Sequence, residues 1–212
     1  MFEKIRGLII KLDPETAHNL AIKSLKLKYI PNKKVEQNKL LETEIFGKKI
    51  PNPIGIAAGF DKDAEVYNSL FKLGFGYVEV GTITPLKQYG NPKPRVFRLE
   101  EDEALINRLG FNNSGSDKAR SRILSSPPTG LLGINIGPNK DTKDRVKDFL
   151  VGLRKFHDIG DYLTINISSP NTENLRNFHN DEEMGELLQK IQTEKDKPVS
   201  YTHLRAHETS CD

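Results

Sequence analysis

The sequence has no tryptophan, two methionines and one cysteine among its 212 residues. Cys211 has no second cysteine with which to form an intrachain disulfide, and no metal-ligand spacing surrounds it. His203 and His207 are four residues apart, but a metal pair would need a third ligand beside them. We therefore predict neither a disulfide framework nor a metal site.

Long apolar runs are also missing. None approaches the roughly 20 residues that a membrane-spanning helix needs, and the amino terminus lacks the apolar core and cleavage site of a signal peptide. This favours a chain made and kept in the cytosol. The net charge of +3 is small and its basic residues are interspersed with acidic ones, so a nucleic-acid partner is not expected.

What the sequence does have is an alternation of apolar strands and amphipathic helices, which predicts right-handed βαβ units and a parallel sheet. We predict strands at 53–58, 76–81, 131–136 and 161–167, and helices at 63–73, 142–157 and 181–193. A length of 212 residues suffices for one globular domain but is short for a complete (β/α)8 barrel of about 250 residues.

A pair of helices is predicted ahead of the first strand. Phe2, Ile5, Leu8 and Ile9 recur at helical spacing, and Asp13-Pro14 is typical of an N-cap followed by proline in the first turn. The second helix has the apolar stripe Ala17, Leu20, Ala21 and Leu25. Such a hairpin is either an ordinary cap on the barrel or, given its lysines, an element that lies on an anionic membrane surface.

Each predicted strand ends in small or polar residues. The segments are 57–62 (AAGFDK), 81–85 (GTITP), 135–137 (NIG) and 166–172 (NISSPNT). In parallel barrels the carboxyl ends of the strands form the active-site face, so these segments predict a binding surface. In the last of them a serine hydroxyl lies between amides, which suits a planar polar ligand and a proton transfer. The same cluster could instead only satisfy backbone groups at a strand end.

A long excursion comes after the second strand over residues 85–112 and includes the strand-like segment 95–99. It ends in 106–113, INRLGFNN, with three asparagines. Long loops on the active-site face often contact substrate, although asparagines are also simple turn formers.

Taken in order, AAGFDK, GTITP, PRVFRL, INRLGFNN, GINIG and NISSPNT resemble dihydroorotate dehydrogenases across residues 1–199. The amino-terminal helices and the serine at the base position are similar to the quinone-dependent, membrane-associated class 2. The resemblance implies oxidation of dihydroorotate to orotate in pyrimidine biosynthesis, with FMN and a membrane quinone, by a protein peripheral on the cytoplasmic side of the cell membrane.

The resemblance also implies residue roles. Ser169 would be the catalytic base, with Thr172 as a relay for its proton. The flavin positions are Ala58, Gly59, Phe60, Asp61, Lys62, Thr82, Asn135 and Asn166. The substrate positions are Lys62, Asn107, Arg108, Leu109, Gly110, Phe111, Asn112, Asn166 and Asn171, and the quinone positions are His18 and Arg98. Taken alone, Lys62 could be a surface ion-pair residue, and His18 an ordinary helix-surface histidine.

The expected organisation is a helical pair in 1–40, associated with membrane and quinone, and the N-terminal half of an FMN-binding barrel in 41–199. Residues 200–212 do not fit the family and are predicted to be a non-native tail on a truncated chain, which would be inactive alone because the phosphate-gripping loops of later strands are absent.

Two alternatives remain open. One is another FMN barrel, such as a dihydropyrimidine or dihydrouridine oxidoreductase. The other is a non-catalytic half-barrel interaction module, in which an apolar inner face that includes Ile134, Ile136 and Ile165 would form an interface or promote aggregation.

Overall fold

The computed structural model describes residue 7 and residues 11–27, 38–170, 172 and 175–195. The first helix of the predicted pair, Asn171 and the predicted tail 200–212 lie outside the described residues. No helix among the described residues is long and apolar enough to cross a membrane.

The second predicted helix is present as α1, Pro14–Lys26. Asp13 is its N-cap and accepts a 2.9 Å hydrogen bond from the Thr16 amide, as the Asp-Pro pair predicts. The predicted apolar stripe is partly wrong, since Leu20 is 53% exposed and Ile22 is the buried residue of the helix.

The remaining helices and strands are given in chain order. The strands are β1 (Thr43–Ile45), β2 (Lys48–Ile50), β3 (Gly55–Ile56), β4 (Tyr77–Ile83), β5 (Val96–Leu99), β6 (Ala104–Asn107), β7 (Leu131–Ile136) and β8 (Tyr162–Ile165). The helices are α2 (Tyr67–Lys72), α3 (Ser116–Ser125), α4 (Arg145–Phe156) and α5 (Asp181–Lys195), with short 3-10 helices at Lys39–Leu41 and Leu175–His179.

The central sheet has the order β3-β4-β7-β8 and all its pairs are parallel. The four predicted barrel strands are therefore confirmed as neighbours, in chain order. Within the described residues the sheet does not close on itself, so the fold is half of a (β/α)8 barrel.

The antiparallel pairing of β1 with β2 and of β5 with β6 was not predicted, and neither was helix α3, although β5 coincides with the strand-like segment 95–99. The pair β1–β2 is a hairpin with Phe46 and Gly47 at positive φ, and β5–β6 lies within the long excursion. Helix α3 begins after Gly115 and has low apolar content, so its sequence gives a weak helical signal.

The two faces of the sheet differ in chemistry. Val78, Val80, Ile134 and Ile136 are at most 1% exposed and belong to the core cluster beneath the helices. A Cβ on Gly152 of α4 would lie 2.9 Å from Ile136 Cδ1, so the helix packs directly on this face. The prediction that Ile134 and Ile136 are on an exposed apolar inner face is therefore wrong, and Ile165 also packs against the core.

The inner face instead presents Tyr77, Glu79, Gly133, Asn135, Tyr162 and Thr164. Tyr162 lies across Gly133, where a Cβ would come within 2.1 Å of its ring. The β1–β2 hairpin contacts the same end of this face, because the Phe46 and Tyr162 ring centroids are 5.2 Å apart and Lys48 pairs with Asp161.

Candidate active site at the carboxyl ends of the strands

A cavity of about 510 Å³, the strand-end cavity, opens where the four parallel strands end. Most of the residues with implied catalytic, flavin or substrate roles line it. These are Ala58, Gly59, Lys62, Thr82, Asn107, Leu109, Gly110, Phe111, Asn112, Asn135, Asn166 and Ser169. The β3, β4, β7 and β8 ends and the 107–112 loop thus converge on one site, as predicted for a parallel barrel.

Three polar side chains from successive strands are joined at the cavity wall. Thr82 Oγ1 donates to Asn135 Oδ1 at 2.6 Å, and Asn166 Nδ2 lies 2.9 Å from Thr82 Oγ1 and 3.2 Å from Asn135 Oδ1. Asn166 Oδ1 then accepts from the amide and hydroxyl of Ser168 at 3.1 and 3.0 Å. The network fixes both amides and the start of the turn that includes Ser169.

Glu79 is a cavity residue that the sequence reasoning missed. Its carboxylate accepts from Asn135 Nδ2 at 2.8 Å and from the Tyr162 and Thr164 hydroxyls at 3.0 Å each. Burial, then the negative charge of Glu79, raises the pKa of the Tyr162 hydroxyl, which therefore stays protonated as a donor. A lone carboxylate in the apolar strand 77–80 was the signal that could have identified it.

The loop that contains the asparagines is anchored by polar contacts at its base. Gln88 Nε2 donates to the carbonyls of Gly110 and Phe111 at 3.0 and 3.3 Å, and Gln88 forms an isolated β-bridge with Asn113. Asn113 Nδ2 also donates to Thr84 Oγ1 at 2.8 Å. The loop is therefore held against the ends of β4 and β7. Phe111 adopts a φ of 53°, which is uncommon for a residue with a side chain.

Two features of the cavity suit a planar polar ligand. Asn112 Oδ1 is buried with no partner in the described structure, so an acceptor is left for a ligand donor. Gly59 has a φ of 109°, and a Cβ there would meet nothing within 4 Å, so the backbone is open to close approach. These observations fit a polar ligand that carries hydrogen-bond donors.

Lys62 is the cation of the site and lines the cavity beside Asn107 and Asn112. Its ammonium donates to the Gly59 carbonyl, and burial lowers its pKa. Asp61 has a different setting, because it is 1% exposed and its carboxylate accepts from the amides of Glu65 and Val66 at 2.8 and 2.7 Å. Burial raises the pKa of Asp61, and its contacts serve the segment before α2.

The segment 168–170, hereafter the serine turn, places Ser169 on the cavity wall. Thr172 is 4% exposed. Arg108, an implied substrate residue, does not line this cavity. Its guanidinium instead donates to the Pro94 carbonyl at 2.9 Å and lies over the Phe97 ring.

A second cavity of about 370 Å³, the helix cavity, lies between α1 and the β5–β6 pair. His18 and Arg98, the implied quinone residues, both line it together with Phe60 and Asp61. The two cavities share five lining residues, which are Gly59, Lys62, Asn107, Leu109 and Asn112. They are therefore neighbours separated by one layer of residues.

The His18 ring contacts Phe60 edge to face, with centroids 5.3 Å apart. Burial, then the positive charge of Lys62, lowers the pKa of His18. Arg98 donates to the Leu12 carbonyl at 2.6 Å, just before α1 begins. A residue that the sequence reasoning missed, Arg95, is 7% exposed and joins Glu15 of α1 through two hydrogen bonds of 3.0 and 2.8 Å. This ion pair fixes α1 over the cavity.

A parallel sheet with helices on one face and a polar cavity at the carboxyl ends of its strands is the arrangement of a (β/α)8-barrel enzyme. The family model for dihydroorotate dehydrogenase matches residues 40–205. The chain therefore belongs to the dihydroorotate dehydrogenase family.

Curated relatives named dihydroorotate dehydrogenase (quinone) include that of Rhizobium etli, 48% identical over 192 residues, which are 91% of this chain and 53% of the relative. The relative from Bartonella tribocorum is 50% identical over 88% of this chain and 51% of its own length. A crystal structure of DHODH from Eimeria tenella in complex with ferulenol has a TM-score of 0.82 and 40% identity, over 90% of this chain and 54% of that one. The chain spans about half the length of the relatives it matches.

Proposed function

We propose that this chain supplies the first half of a quinone-dependent dihydroorotate dehydrogenase, which oxidises (S)-dihydroorotate to orotate in pyrimidine biosynthesis. The observation that carries the proposal is the adjacency of two cavities, one lined by amides, a lysine and a serine, the other by His18 and Arg98. A reaction that takes electrons from a polar ring and gives them to a quinone needs two such neighbouring sites.

FMN is the cofactor that the strand-end cavity would hold. The small residues Ala58 and Gly59 leave the protein backbone accessible at this wall of the cavity. Thr82, Asn135 and Asn166 offer hydroxyl and amide groups to a ring edge. When bound, FMN would supply the two-electron redox chemistry that connects C6 of the substrate with the quinone. Phe60 and Asp61 belong to the same segment as these small residues, 57–62, but line the helix cavity.

Dihydroorotate has one carboxylate and several ring amides, and the cavity offers the complementary groups. The Lys62 ammonium pairs with the carboxylate, and Asn107 and Asn166 contact the ring amides. Asn112 Oδ1, buried without a partner in the described structure, accepts from a ring N–H. Asn171, outside the described residues, completes the proposed set, with Leu109, Gly110 and Phe111 shaping the loop and Arg108 bracing it at Pro94.

Ser169 is the proposed base that removes the proton from C5 of the substrate. A serine hydroxyl is a poor base at its ordinary pKa, so its own proton must pass onward as it accepts the new one. The buried hydroxyl of Thr172, in the same segment 166–172, or a bound water receives it.

His18 and Arg98 would face the quinone head group in the helix cavity. Leu20 and Leu27, 53% and 69% exposed, are apolar side chains on or next to α1 and suit contact with a membrane surface. We propose that the protein is peripheral on the cytoplasmic side of the membrane, where the quinone reaches the helix cavity from the bilayer.

The proposal is tested with a chimaera in which residues 1–195 are joined to the carboxyl-terminal half of the Rhizobium etli relative. The chimaera should bind FMN and couple dihydroorotate oxidation to quinone reduction. Ser169→Ala should lower kcat by about 10²-fold or more, whereas the adjacent Ser168→Ala should have a far smaller effect. Oxidation of dihydrouracil or dihydrouridine in preference to dihydroorotate would contradict the substrate assignment and favour another FMN barrel.

We further propose that the 212-residue polypeptide has no turnover by itself. Its described sheet has four strands, and half of the surface that would bury a flavin in a closed barrel is missing from it. Flavin-dependent dihydroorotate oxidation by the purified chain would contradict this.

A further inference from the structure

The carboxylate of Glu79 accepts hydrogen bonds from three directions at the inner face of the sheet. Its partners come from two strands, Asn135 from β7 and Tyr162 and Thr164 from β8. Of the two ends of the Asn135 amide, Nδ2 is the one that faces Glu79, and it donates to Oε1 at 2.8 Å. The Tyr162 and Thr164 hydroxyls donate to the other oxygen of the same side chain.

That orientation sets the remaining hydrogen bonds along the strand ends. With Nδ2 turned to Glu79, Asn135 Oδ1 points to the Thr82 hydroxyl at 2.6 Å and to Asn166 Nδ2 at 3.2 Å. Asn166 in turn has its Oδ1 toward the Ser168 amide and hydroxyl. One carboxylate thus sets the direction of the hydrogen bonds that link β4 to the serine turn.

We propose that Glu79 is a positioning residue of this site, which orients Asn135 and, through it, Asn166 and the serine turn, so that the strand ends present one fixed pattern of donors and acceptors to the ligand. The inference rests on the proposed function for the identity of that ligand. The orientation itself is set by the protein's own residues.

The geometry offers a swap that separates orientation from simple packing. Asn135→Asp places two acceptor-only carboxylates where a 2.8 Å hydrogen bond was. Adding Glu79→Gln restores a donor across the same gap, and the carboxylate introduced at position 135 still accepts from Thr82 and Asn166. The double variant therefore keeps the net charge of the wild type and restores the hydrogen bond between the two positions with its polarity reversed.

The experiment is a thermal-unfolding cycle on the 212-residue chain with the wild type, E79Q, N135D and E79Q/N135D. N135D should lower Tm by roughly 5–10 °C and E79Q by less, while the double variant should recover most of the N135D loss. Thr164→Val is the matched control, because it removes one donor to Glu79 without touching Asn135. If N135D does not accumulate as folded protein, the expected rescue is that the double variant folds where N135D does not.

A second readout is the side-chain amide of Asn135 in NMR spectra, its signals identified by their loss in N135D. They should shift strongly in E79Q and little in T164V. Additive losses in the cycle, or equal shifts in E79Q and T164V, would overturn the proposal and leave Glu79 as a packing residue. Because the cycle contains no flavin, its failure is distinguishable from that of the proposed function, which is read from flavin-dependent oxidation by the chimaera.

Discussion

The two faces of the four-stranded sheet are stabilised by different interactions. On the helix side, Val78, Val80, Ile134 and Ile136 are packed at 0–1% exposure beneath the helices. On the inner side, Glu79, Asn135, Tyr162 and Thr164 satisfy one another by hydrogen bonds. We expect stability to be concentrated on the first face, whereas the groups proposed to contact a ligand lie on the second face and at the strand ends.

This contrast arises from the two-residue period of a strand. In the segment 77–80, Tyr-Val-Glu-Val, the valines point to the helices and the tyrosine and glutamate point inward. An open inner face that is polar has a lower aggregation hazard than the apolar one expected from the sequence. The hypothesis of an apolar interface through Ile134 and Ile136 fails for the same reason.

The largest expected effect is on the helix side. Ile134→Ala should lower the free energy of unfolding by about 2–5 kcal/mol, because a fully buried side chain is truncated within a packed core. Urea unfolding would measure it. A loss below about 1 kcal/mol would mean that this face is not the main source of stability.

A smaller loss is expected where the inner face is crowded. Gly133→Ala places a Cβ about 2.1 Å from the Tyr162 ring and should cost about 1–3 kcal/mol in unfolding free energy. In a Tyr162→Ser background the ring is absent, so the added methyl should be tolerated. An equal cost in both backgrounds would show that the strand backbone, and not the ring, is responsible.

A matched pair of isosteric changes compares the faces directly. Val80→Thr buries a hydroxyl among apolar groups and should cost about 1–3 kcal/mol, whereas Thr164→Val removes one of three hydrogen bonds to Glu79 and should cost about 1 kcal/mol. The two free energies of unfolding are compared from urea titrations in which both variants have the same dependence on urea concentration. A larger loss for Thr164→Val than for Val80→Thr would contradict the assignment of Val80 to the apolar face and Thr164 to the polar face.

The smallest effect concerns the helix cavity, which His18 lines. Burial and Lys62 lower the pKa of His18, so below its ordinary pKa the unfolded chain binds a proton that the folded chain does not. Stability from this source is present above that pKa and is lost as pH falls through it. His18→Gln should therefore flatten the fall in Tm between about pH 7.5 and 5.5. An unchanged slope would contradict a lowered pKa of His18 in the folded chain.

The parts of the fold that the sequence predicted have strong local signals. The parallel strands are apolar runs ending in Gly, Thr or Asn, and Asp13-Pro14 marks the start of α1. The β1–β2 hairpin was missed because its three-residue strands lack a clear alternation. Leu20 was assigned to the buried stripe, but its exposure depends on which part of α1 the β5–β6 pair covers, which is a tertiary property.

The residues of the candidate site also differ in whether a local sequence signal identifies them. Residues within continuous motifs, such as Thr82, Asn166 and Ser169, were identified and converge on the strand-end cavity. Glu79 and Arg95 bind partners far along the chain, Thr164 and Glu15. The lone carboxylate in the apolar segment 77–80 marks Glu79 as unusual, but no local pattern reveals the partner of either residue.

The proposed site is tested most directly by anaerobic reduction of FMN in the chimaera by dihydroorotate, monitored as bleaching of the flavin's visible absorbance. We expect bleaching on addition of dihydroorotate, recovery on addition of quinone, and bleaching slowed by about 10²-fold or more in Ser169→Ala. Tightly bound FMN that dihydroorotate does not bleach would contradict the claim that the inner face and strand ends of this chain form a dihydroorotate-oxidising site.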